Sequence, residues 1–229
     1  MALQYARRGA PHGSLFVARE QTSGRGRFGR RWESDRGGLY LSVILEPESQ
    51  DPLSLLPHLT AVAAAEALIA ITGLDVGIRW PNDLYSSGLK LGGILCEGSF
   101  RGSVPEHFVA GIGINVNQRL DSLPAAVRAR AIGLAEHCLD ERDVAARIVS
   151  RLESWWRTRD ANVIVTRFRE LADGAAGRRV RVRPRLGESF EATTRGIAAD
   201  GGLAIQLDDG TERILYSEDV VHLLDTGDG

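Results

Sequence analysis

One short segment of the chain concentrates positive charge among glycines. Between Gly24 and Arg31 the sequence holds four Arg, three Gly and no acidic residue. Guanidinium groups form paired hydrogen bonds with phosphate or carboxylate, and glycine lets backbone N–H groups approach the same anion. The segment predicts an anion-binding loop that closes over its ligand. A solvated flexible loop or a nucleic-acid contact are the alternatives, and the absence of a following Gly-Lys-Ser/Thr excludes a Walker P-loop.

A single lysine stands apart from the other basic residues. The chain has 28 Lys and Arg in total, and Lys90 is the one Lys among them. It begins the apolar stretch Lys90-Leu-Gly-Gly-Ile-Leu-Cys96, in which Gly92 and Gly93 leave both strand faces bare. An ammonium is a compact point charge, whereas a guanidinium is a planar fork. The pattern predicts a ligand lying against this strand with one oxygen at Lys90; compositional drift is the alternative.

Two further segments place polar groups at strand ends. Arg79-Trp-Pro-Asn-Asp83 turns sharply at Pro81, and functional residues gather at such turns, although Pro-Asn-Asp is also ordinary turn chemistry. Gly111-Ile-Gly-Ile-Asn-Val-Asn117 gives a strand one bare face that becomes polar at its end. That face could floor a pocket, or it could serve only tight strand packing.

Composition excludes several classes of protein. With 30 acidic residues the net charge of the 229-residue chain is −2, so bulk charge does not make it a polyanion binder. The apolar stretch 61–71 falls short of the roughly 18 residues that a membrane span needs, and the N-terminus lacks a secretory signal. Cys96 and Cys138 form no framework, and the five His have no ligand spacing, so we expect a cytoplasmic protein without a structural metal.

Alternation and helical spacing divide the chain into elements. Strands are expected at 14–19, 39–45, 76–80, 89–96 and 107–115, and helices at 52–73, 140–158 and 161–171. Strands and helices do not alternate regularly, so the fold class is α+β. Beyond Gly174 four short alternating strands predict a small β-barrel. We therefore expect an α+β domain over residues 1–174, for which the resemblance described below implies the catalytic role, and a β domain over residues 175–229.

Taken together, the four segments resemble the biotin protein ligases. Gln21-Thr-x-Gly-Arg-Gly-Arg-x-Gly-Arg-x-Trp32, Arg79-Trp-Pro-Asn-Asp83, Lys90-Leu-Gly-Gly-Ile-Leu95 and Gly111-Ile-Gly-Ile-Asn-Val-Asn117 follow one another in the family's order and spacing. The resemblance spans nearly the whole chain. It implies a central mixed β-sheet flanked by helices, the class II synthetase-like catalytic fold, and a small C-terminal SH3-like barrel.

The resemblance also implies a two-step reaction. Biotin and ATP, with Mg²⁺ in the substrate complex, form biotinyl-5′-AMP and pyrophosphate, and the biotinyl group then passes to a lysine of a biotin carboxyl carrier protein or domain, such as that of acetyl-CoA carboxylase. No nucleic-acid or membrane partner is implied. A homodimer is left open.

Roles for individual residues follow from the same resemblance. Lys90, Arg25 and Arg27 match catalytic positions. Biotin contacts are assigned to Gln21, Gly24, Arg25, Gly26, Arg27, Lys90, Gly93 and Gly111. Nucleotide contacts are assigned to Arg27, Arg30, Trp32, Asn82, Asp83, Lys90 and Asn115, with Asp83 also a candidate Mg²⁺ ligand.

The sequence departs from the family pattern at its N-terminus. Related ligases carry an Asp-Ser-Thr element before the first helix, and this chain starts at Met1 inside what resembles that helix. We expect either a start assigned too late, so that the N-terminus is truncated, or weakened biotin binding, which a binding isotherm would test. The sequence leaves no room for the DNA-binding domain of some relatives, which predicts a monofunctional ligase.

Two rival functions remain. A lipoate-type ligase or octanoyl transferase resembles the chain in the lysine strand but lacks the Gly-Arg-Gly-Arg-x-Gly-Arg pattern. A nucleic-acid-binding module would use the same loop and the basic run Arg178 to Arg185, but it calls for exposed aromatics and a basic overall charge.

Overall fold

Two antiparallel β-sheets organise the chain. They are seen in a computed structural model that describes residues 1–48, 52–184, 187–216 and 219–222. The larger sheet has six strands in the order β1-β2-β6-β5-β4-β3. Its strands are β1 (Leu15–Ala18), β2 (Leu39–Leu45), β3 (Gly77–Arg79), β4 (Asp83–Ser86), β5 (Leu89–Arg101) and β6 (Val104–Ile114).

Five α-helices accompany the sheets. They are α1 (Ala2–Ala6), α2 (Leu56–Thr72), α3 (Ala125–Arg128), α4 (Glu141–Thr158) and α5 (Ala161–Leu171) within the described residues. Helix α2 ends where Gly73 takes a left-handed conformation at φ 69°, as the sequence predicted. Asp140 caps the start of helix α4, and its carboxylate accepts a hydrogen bond from the Arg142 N–H.

The two faces of the larger sheet have different coverings. Val43 belongs to the main hydrophobic core with α2, α4 and α5, whereas the next residue, Ile44, packs with Ala2, Ala6 and Val109. Because successive side chains of a strand point to opposite faces, α1 lies on the face opposite the large helices. Beyond α1, this face carries Gly111 and Gly113 of β6, which line a cavity.

The C-terminal unit, residues 176–222, is a five-stranded antiparallel sheet. Its strands are β7 (Ala176–Arg183), β8 (Phe190–Ile197), β9 (Leu203–Gln206), β10 (Glu212–Leu215) and β11 (Asp219–His222), in the order β10-β9-β8-β7-β11. The predicted small β unit is confirmed, with β11 as a strand that the alternation did not indicate. Arg185, the last residue of the basic run, lies outside the described residues. Closure into a barrel and the division at residue 174 stay predictions.

The α+β class is confirmed, with one correction to the sheet. All strand pairs described in the larger sheet are antiparallel, and parallel pairing occurs only at two isolated bridges, Ile78 to Ala172 and Lys90 to Ala131. The sheet is therefore mixed only through those bridges. Strand β4 was not predicted. On α4 the buried tryptophan is Trp156, and its neighbour Trp155 is only partly buried.

The helix predicted over residues 52–73 is confirmed, but it is apolar over a longer stretch than the residues 61–71 considered above. With the preceding turn it runs from Leu53 to Thr72, which by length and hydropathy is enough to cross a membrane. However, 67% of its most apolar window is buried inside the protein. The core helix of a globular domain meets the same criteria of length and hydropathy. This helix forms part of the main hydrophobic core.

Candidate active site

Two adjoining cavities open beside the glycine-rich strands. The larger has a volume of about 830 Å³ and the smaller about 510 Å³, both within the usual range for small-molecule sites. The residues that line both are Arg30, Arg31, Trp32, Trp80, Asp83, Lys90 and Val220. The two cavities therefore meet at Lys90 and Trp32, where two ligands could come into contact.

The arginine loop, residues 21–32, forms a short hairpin over the larger cavity. Arg25 and Arg31 form an antiparallel bridge, the Gly26 N–H donates to the Arg30 carbonyl at 2.7 Å, and the Trp32 N–H donates to Gly24 at 3.0 Å. Phe28 at its tip has a φ of 56°, which is left-handed backbone that few side chains adopt. This turn sends Arg25, Arg27 and Arg30 into the cavity lining.

Glycines make the floor of the larger cavity. Gly93 on β5 and Gly113 on β6 face each other across the strand pair. A Cβ atom on Gly113 would lie 2.8 Å from the Trp32 Nε1, and one on Gly93 would lie 3.3 Å from the Asp83 Oδ1. Bare backbone at these positions therefore lets the Trp32 ring approach the sheet, as the bare face in the sequence indicated.

Lys90 is held at the junction from two sides. Its Nζ lies 2.5 Å from the Asp83 Oδ2 and 5.3 Å from the centroid of the Trp32 ring. Its backbone N–H donates to the Arg130 carbonyl at 2.7 Å, and its own carbonyl accepts from Ile132 at 3.0 Å. These bonds fix the main chain while the side chain, 30% exposed, can turn toward a ligand.

Two asparagines connect the site to its framework. The Asn82 side chain donates to the Ile94 carbonyl of β5, and its Oδ1 accepts from the Arg27 Nη1 at 3.4 Å. The Asn115 side chain donates to the Ile132 carbonyl at 3.0 Å and lines the smaller cavity. Both amides therefore fix neighbouring backbone, and Asn82 lines the larger cavity while Asn115 lines the smaller.

Acidic side chains balance the cations of the loop. Arg25 lies 3.1 Å from Glu97 on β5, and Arg31 lies 3.2 Å from Glu33. These pairs are partly exposed and each contributes little to stability. Their effect is to neutralise the repulsion among the guanidinium groups and to orient them. An incoming carboxylate or phosphate would exchange with such partners.

Two titratable groups of the larger sheet, Tyr40 on β2 and Cys96 on β5, are kept neutral by burial. Burial raises the pKa of the Tyr40 phenol well above its usual value, and its hydroxyl donates to the Asp35 carbonyl at 2.6 Å. Burial raises the pKa of the Cys96 thiol to about 12, so it is not a thiolate nucleophile. Within the described ranges no three His, Cys, Asp or Glu side chains cluster as metal ligands.

Most of the predicted site residues come together. Gln21, Arg25, Gly26, Arg27, Asn82, Gly93 and Gly111 line the larger cavity, Asn115 lines the smaller, and Arg30, Trp32, Asp83 and Lys90 line both. Gly24 lines neither cavity; a Cβ there would lie 2.3 Å from the Trp32 carbonyl oxygen, so it serves the hairpin. Their assignments to biotin or nucleotide stay predictions.

Sequence reasoning missed several lining residues. Gly113 repeats Gly111 at the two-residue period of a strand, and that signal was sufficient to include it. Glu97, Trp80 and Val220 also line the cavities. An apolar side chain of a distant strand, such as Val220, carries no local sign of its position, so sequence alone could not have found it.

The fold and the site described above are those of the biotin/lipoate ligase class of proteins, as two family matches show. Residues 4–115 match the biotin/lipoate A/B protein ligase family, and residues 176–223 match the biotin protein ligase C-terminal domain. These matches, together with the fold and the site, place the chain in that class.

The similarity to known proteins covers most of the chain. A bifunctional ligase/repressor BirA of Bacillus spizizenii is 34% identical over 96% of this chain and 69% of its own length. A biotin--[acetyl-CoA-carboxylase] ligase of Mycobacterium tuberculosis is 32% identical over 92% and 79%. The structure of the Aquifex aeolicus biotin protein ligase in complex with biotin and ATP matches with a TM-score of 0.81 at 27% identity, covering 96% of this chain and 94% of that one. The chain belongs to the biotin protein ligase family.

Proposed function

We propose that this protein joins biotin to ATP, forming biotinyl-5′-AMP and pyrophosphate, and then transfers the biotinyl group to a lysine of a biotin carboxyl carrier domain. The observation that carries the proposal is the place of Lys90, which lines both cavities and lies between them. The binding of biotin and ATP by the Aquifex relative supports it. We propose a cytoplasmic location for the reaction.

In the first step, a carboxylate oxygen of biotin attacks the α-phosphorus of ATP. The bond from that phosphorus to the bridging oxygen breaks, and pyrophosphate leaves with the electron pair. The two reactants are both anions, so fixed cations must offset their repulsion. Lys90 supplies a point charge where carboxylate and α-phosphate meet, while Arg25 and Arg27 of the arginine loop neutralise and orient the remaining oxygens.

Mg²⁺ enters this step as part of the ATP substrate. The ion usually takes one or two carboxylates together with phosphate oxygens. Asp83 is a carboxylate that lines both cavities, so it fits that requirement once Lys90 turns toward the substrates. We therefore assign Asp83 as the residue that would hold the ion.

In the second step, the amine of the carrier lysine attacks the acyl carbon of biotinyl-5′-AMP. A carbon–nitrogen bond forms, the bond between acyl carbon and phosphate oxygen breaks, AMP leaves, and the amine loses a proton. The mixed anhydride must not meet water before this attack. Residues of the arginine loop line the larger cavity, so we assign this loop the shielding of the intermediate.

Exchange of labelled pyrophosphate into ATP tests the first step. We expect exchange only when biotin is added, because the reverse reaction needs the biotinyl adenylate. A carrier domain should then gain biotin on one lysine, measured by mass. Exchange that depends on lipoate or octanoate, or retention on a nucleic-acid column without exchange, would contradict the proposal and favour one of the two rivals.

A further inference from the structure

The segment Arg79 to Asp83 contacts both the cavities and the C-terminal unit. Its second half, Asn82 and Asp83, lines the cavities. Its first half faces the C-terminal unit: the Trp80 Nε1 donates to the Gly201 carbonyl at 3.0 Å. The Trp80 side chain is buried, and other atoms of the same residue line both cavities. One tryptophan therefore contacts the substrate site and the second sheet at once.

The Gly201 carbonyl is shared with a second buried donor. The His58 Nε2, on α2, lies 2.9 Å from the same oxygen. Burial lowers the pKa of His58 to about 4, so the ring is neutral near pH 7. A neutral ring carries one N–H, and the only arrangement that bonds this carbonyl places it on Nε2. The Nδ1 atom is buried without a hydrogen-bond partner in the described part of the chain.

The turn that carries this carbonyl fits closely. It runs from Ala198 to Gly202, closed by a 2.7 Å hydrogen bond from the Ala198 N–H to the Gly202 carbonyl. Gly201 has a φ of 87°, and a Cβ atom there would lie 2.7 Å from Leu55 and 3.1 Å from the His58 Nε2. No side chain fits at this position, so the glycine is what lets the carbonyl reach both donors.

A second contact joins the same segment to Asp173, which lies just before the C-terminal unit. The Arg79 Nε donates to the Asp173 Oδ2 at 2.8 Å, and the guanidinium lies 3.8 Å from the centroid of the Tyr85 ring. The Asp173 N–H in turn donates to the Ile78 carbonyl at 2.9 Å. The C-terminal unit also supplies Val220 directly to both cavities.

We propose that Trp80 and His58 are positioning residues for adenylation. Their hydrogen bonds to the Gly201 carbonyl fix the C-terminal unit against the segment Arg79 to Asp83. They thereby hold Asn82 in the larger cavity and Asp83 at the junction of the two cavities. The inference rests on the proposed function. Small displacements of reacting groups cost far more in rate than in binding, so the effect belongs mainly to kcat.

Trp80→Phe tests this because it removes the N–H and keeps an aromatic ring. The matched control is Trp155→Phe on α4, since the Trp155 Nε1 also donates to one acceptor, Glu66, at 3.0 Å and lines neither cavity. The measurement is biotin-dependent pyrophosphate exchange, with kcat and both KM values determined below the unfolding temperature of each protein. We expect kcat of Trp80→Phe to fall about tenfold, with smaller changes in KM, while Trp155→Phe stays within about twofold of the parent.

The outcomes separate the inference from the function on which it rests. If the parent protein shows no biotin-dependent exchange, the proposed function fails. If the parent exchanges and the two variants have equal kcat, or lose kcat only in proportion to their loss of thermal stability, the positioning role is overturned.

A second pair keeps the test decisive if Trp80→Phe does not fold. His58→Gln can still donate from its Nε2 to the Gly201 carbonyl, whereas His58→Leu cannot. We expect Gln to retain most of the parent kcat and Leu to lose it. Equal kcat for the two would overturn the role of this hydrogen bond.

Discussion

At the scale of single residues, the site is a set of cations with internal counter-ions. Arg25 pairs with Glu97, and Lys90 pairs with Asp83. This is how a chain with a net charge of −2 can hold a strongly cationic loop. The identities of these cations were predictable from sequence because their types and spacing are local. Their partners were not, because Glu97 reaches Arg25 only through the pairing of distant segments.

The surroundings of Lys90 lead to a prediction about the shape of its cationic group. Lys90→Arg keeps the charge, but a planar fork cannot take the place of the ammonium beside Asp83 and Trp32. We expect the rate of biotin-dependent pyrophosphate exchange to fall by a factor on the order of 10² to 10³, the usual loss for one electrostatic contact in a transition state.

The control for Lys90→Arg makes the reverse substitution, Arg to Lys, at a remote site. The chain has no second lysine, so we choose Arg183→Lys on β7, an exposed strand position that lines neither cavity. It should exchange pyrophosphate at the parent rate. Parent-like rates for Lys90→Arg as well would remove Lys90 from the chemistry.

At the scale of elements, strands with clear alternation or apolar runs were predictable and their pairings were not. Strand β2 has the predicted limits, Leu39 to Leu45. Strand β4 was missed because Asp83 to Ser86 follows a proline turn and contains no apolar run, and it is a strand only because it pairs with β3 and β5. Strand β5 continues past Cys96 to Arg101 for the same reason, since β6 supplies its partner.

The backbone of the arginine loop depends on one glycine. A Cβ atom on Gly24 would lie 2.3 Å from the Trp32 carbonyl oxygen and 2.4 Å from the Ser34 Oγ, so Gly24→Ala must separate the two arms of the hairpin. We expect trypsin to cleave this variant at the loop arginines several times faster than the parent. The matched variant Gly26→Ala adds the same methyl group where the nearest atom is 3.5 Å away, and its loop should be cleaved at the parent rate. Equal cleavage of both variants would mean that the hairpin does not require this close approach.

At the scale of the whole molecule, the two sheets share one hydrophobic core. Ile78 and Leu84 of the larger sheet belong to the same buried cluster as Val180 and Ile205 of the C-terminal unit. Polar contacts also cross this interface: the Gly201 carbonyl lies within hydrogen-bond distance of two donors, and the Arg169 Nε of α5 donates to the Ile197 carbonyl at 2.8 Å. Because unpaired polar groups are costly in such surroundings, these contacts fix how the two parts fit together. The sequence indicated two parts but not the contact between them, because His58 and Gly201 are 143 residues apart in the chain.

The contact between His58 and the Gly201 carbonyl predicts how the stability of the whole molecule depends on pH. His58 has an ordinary pKa of 6.5 in the unfolded chain and about 4 in the folded protein, where Asp200 is the nearby charged group and the Phe168 ring packs against it. Between these two values the unfolded chain binds a proton that the folded protein does not, so the free energy of unfolding must fall as the pH is lowered from about 6.5 towards 4. His58 should account for ~2 kcal/mol of that loss between pH 7 and pH 4.5.

His58→Gln isolates this contribution, because glutamine keeps the donor to Gly201 and does not titrate in this range. Urea unfolding of both proteins at pH 7 and pH 4.5 provides the measurement, and the carboxylates that titrate in both proteins cancel in the comparison. The variant should lose less stability on acidification than the parent by that amount. If the two proteins lose stability equally, then His58 takes up its proton in the folded state as readily as in the unfolded chain, and the neutral ring that donates to Gly201 is not what holds the two sheets together.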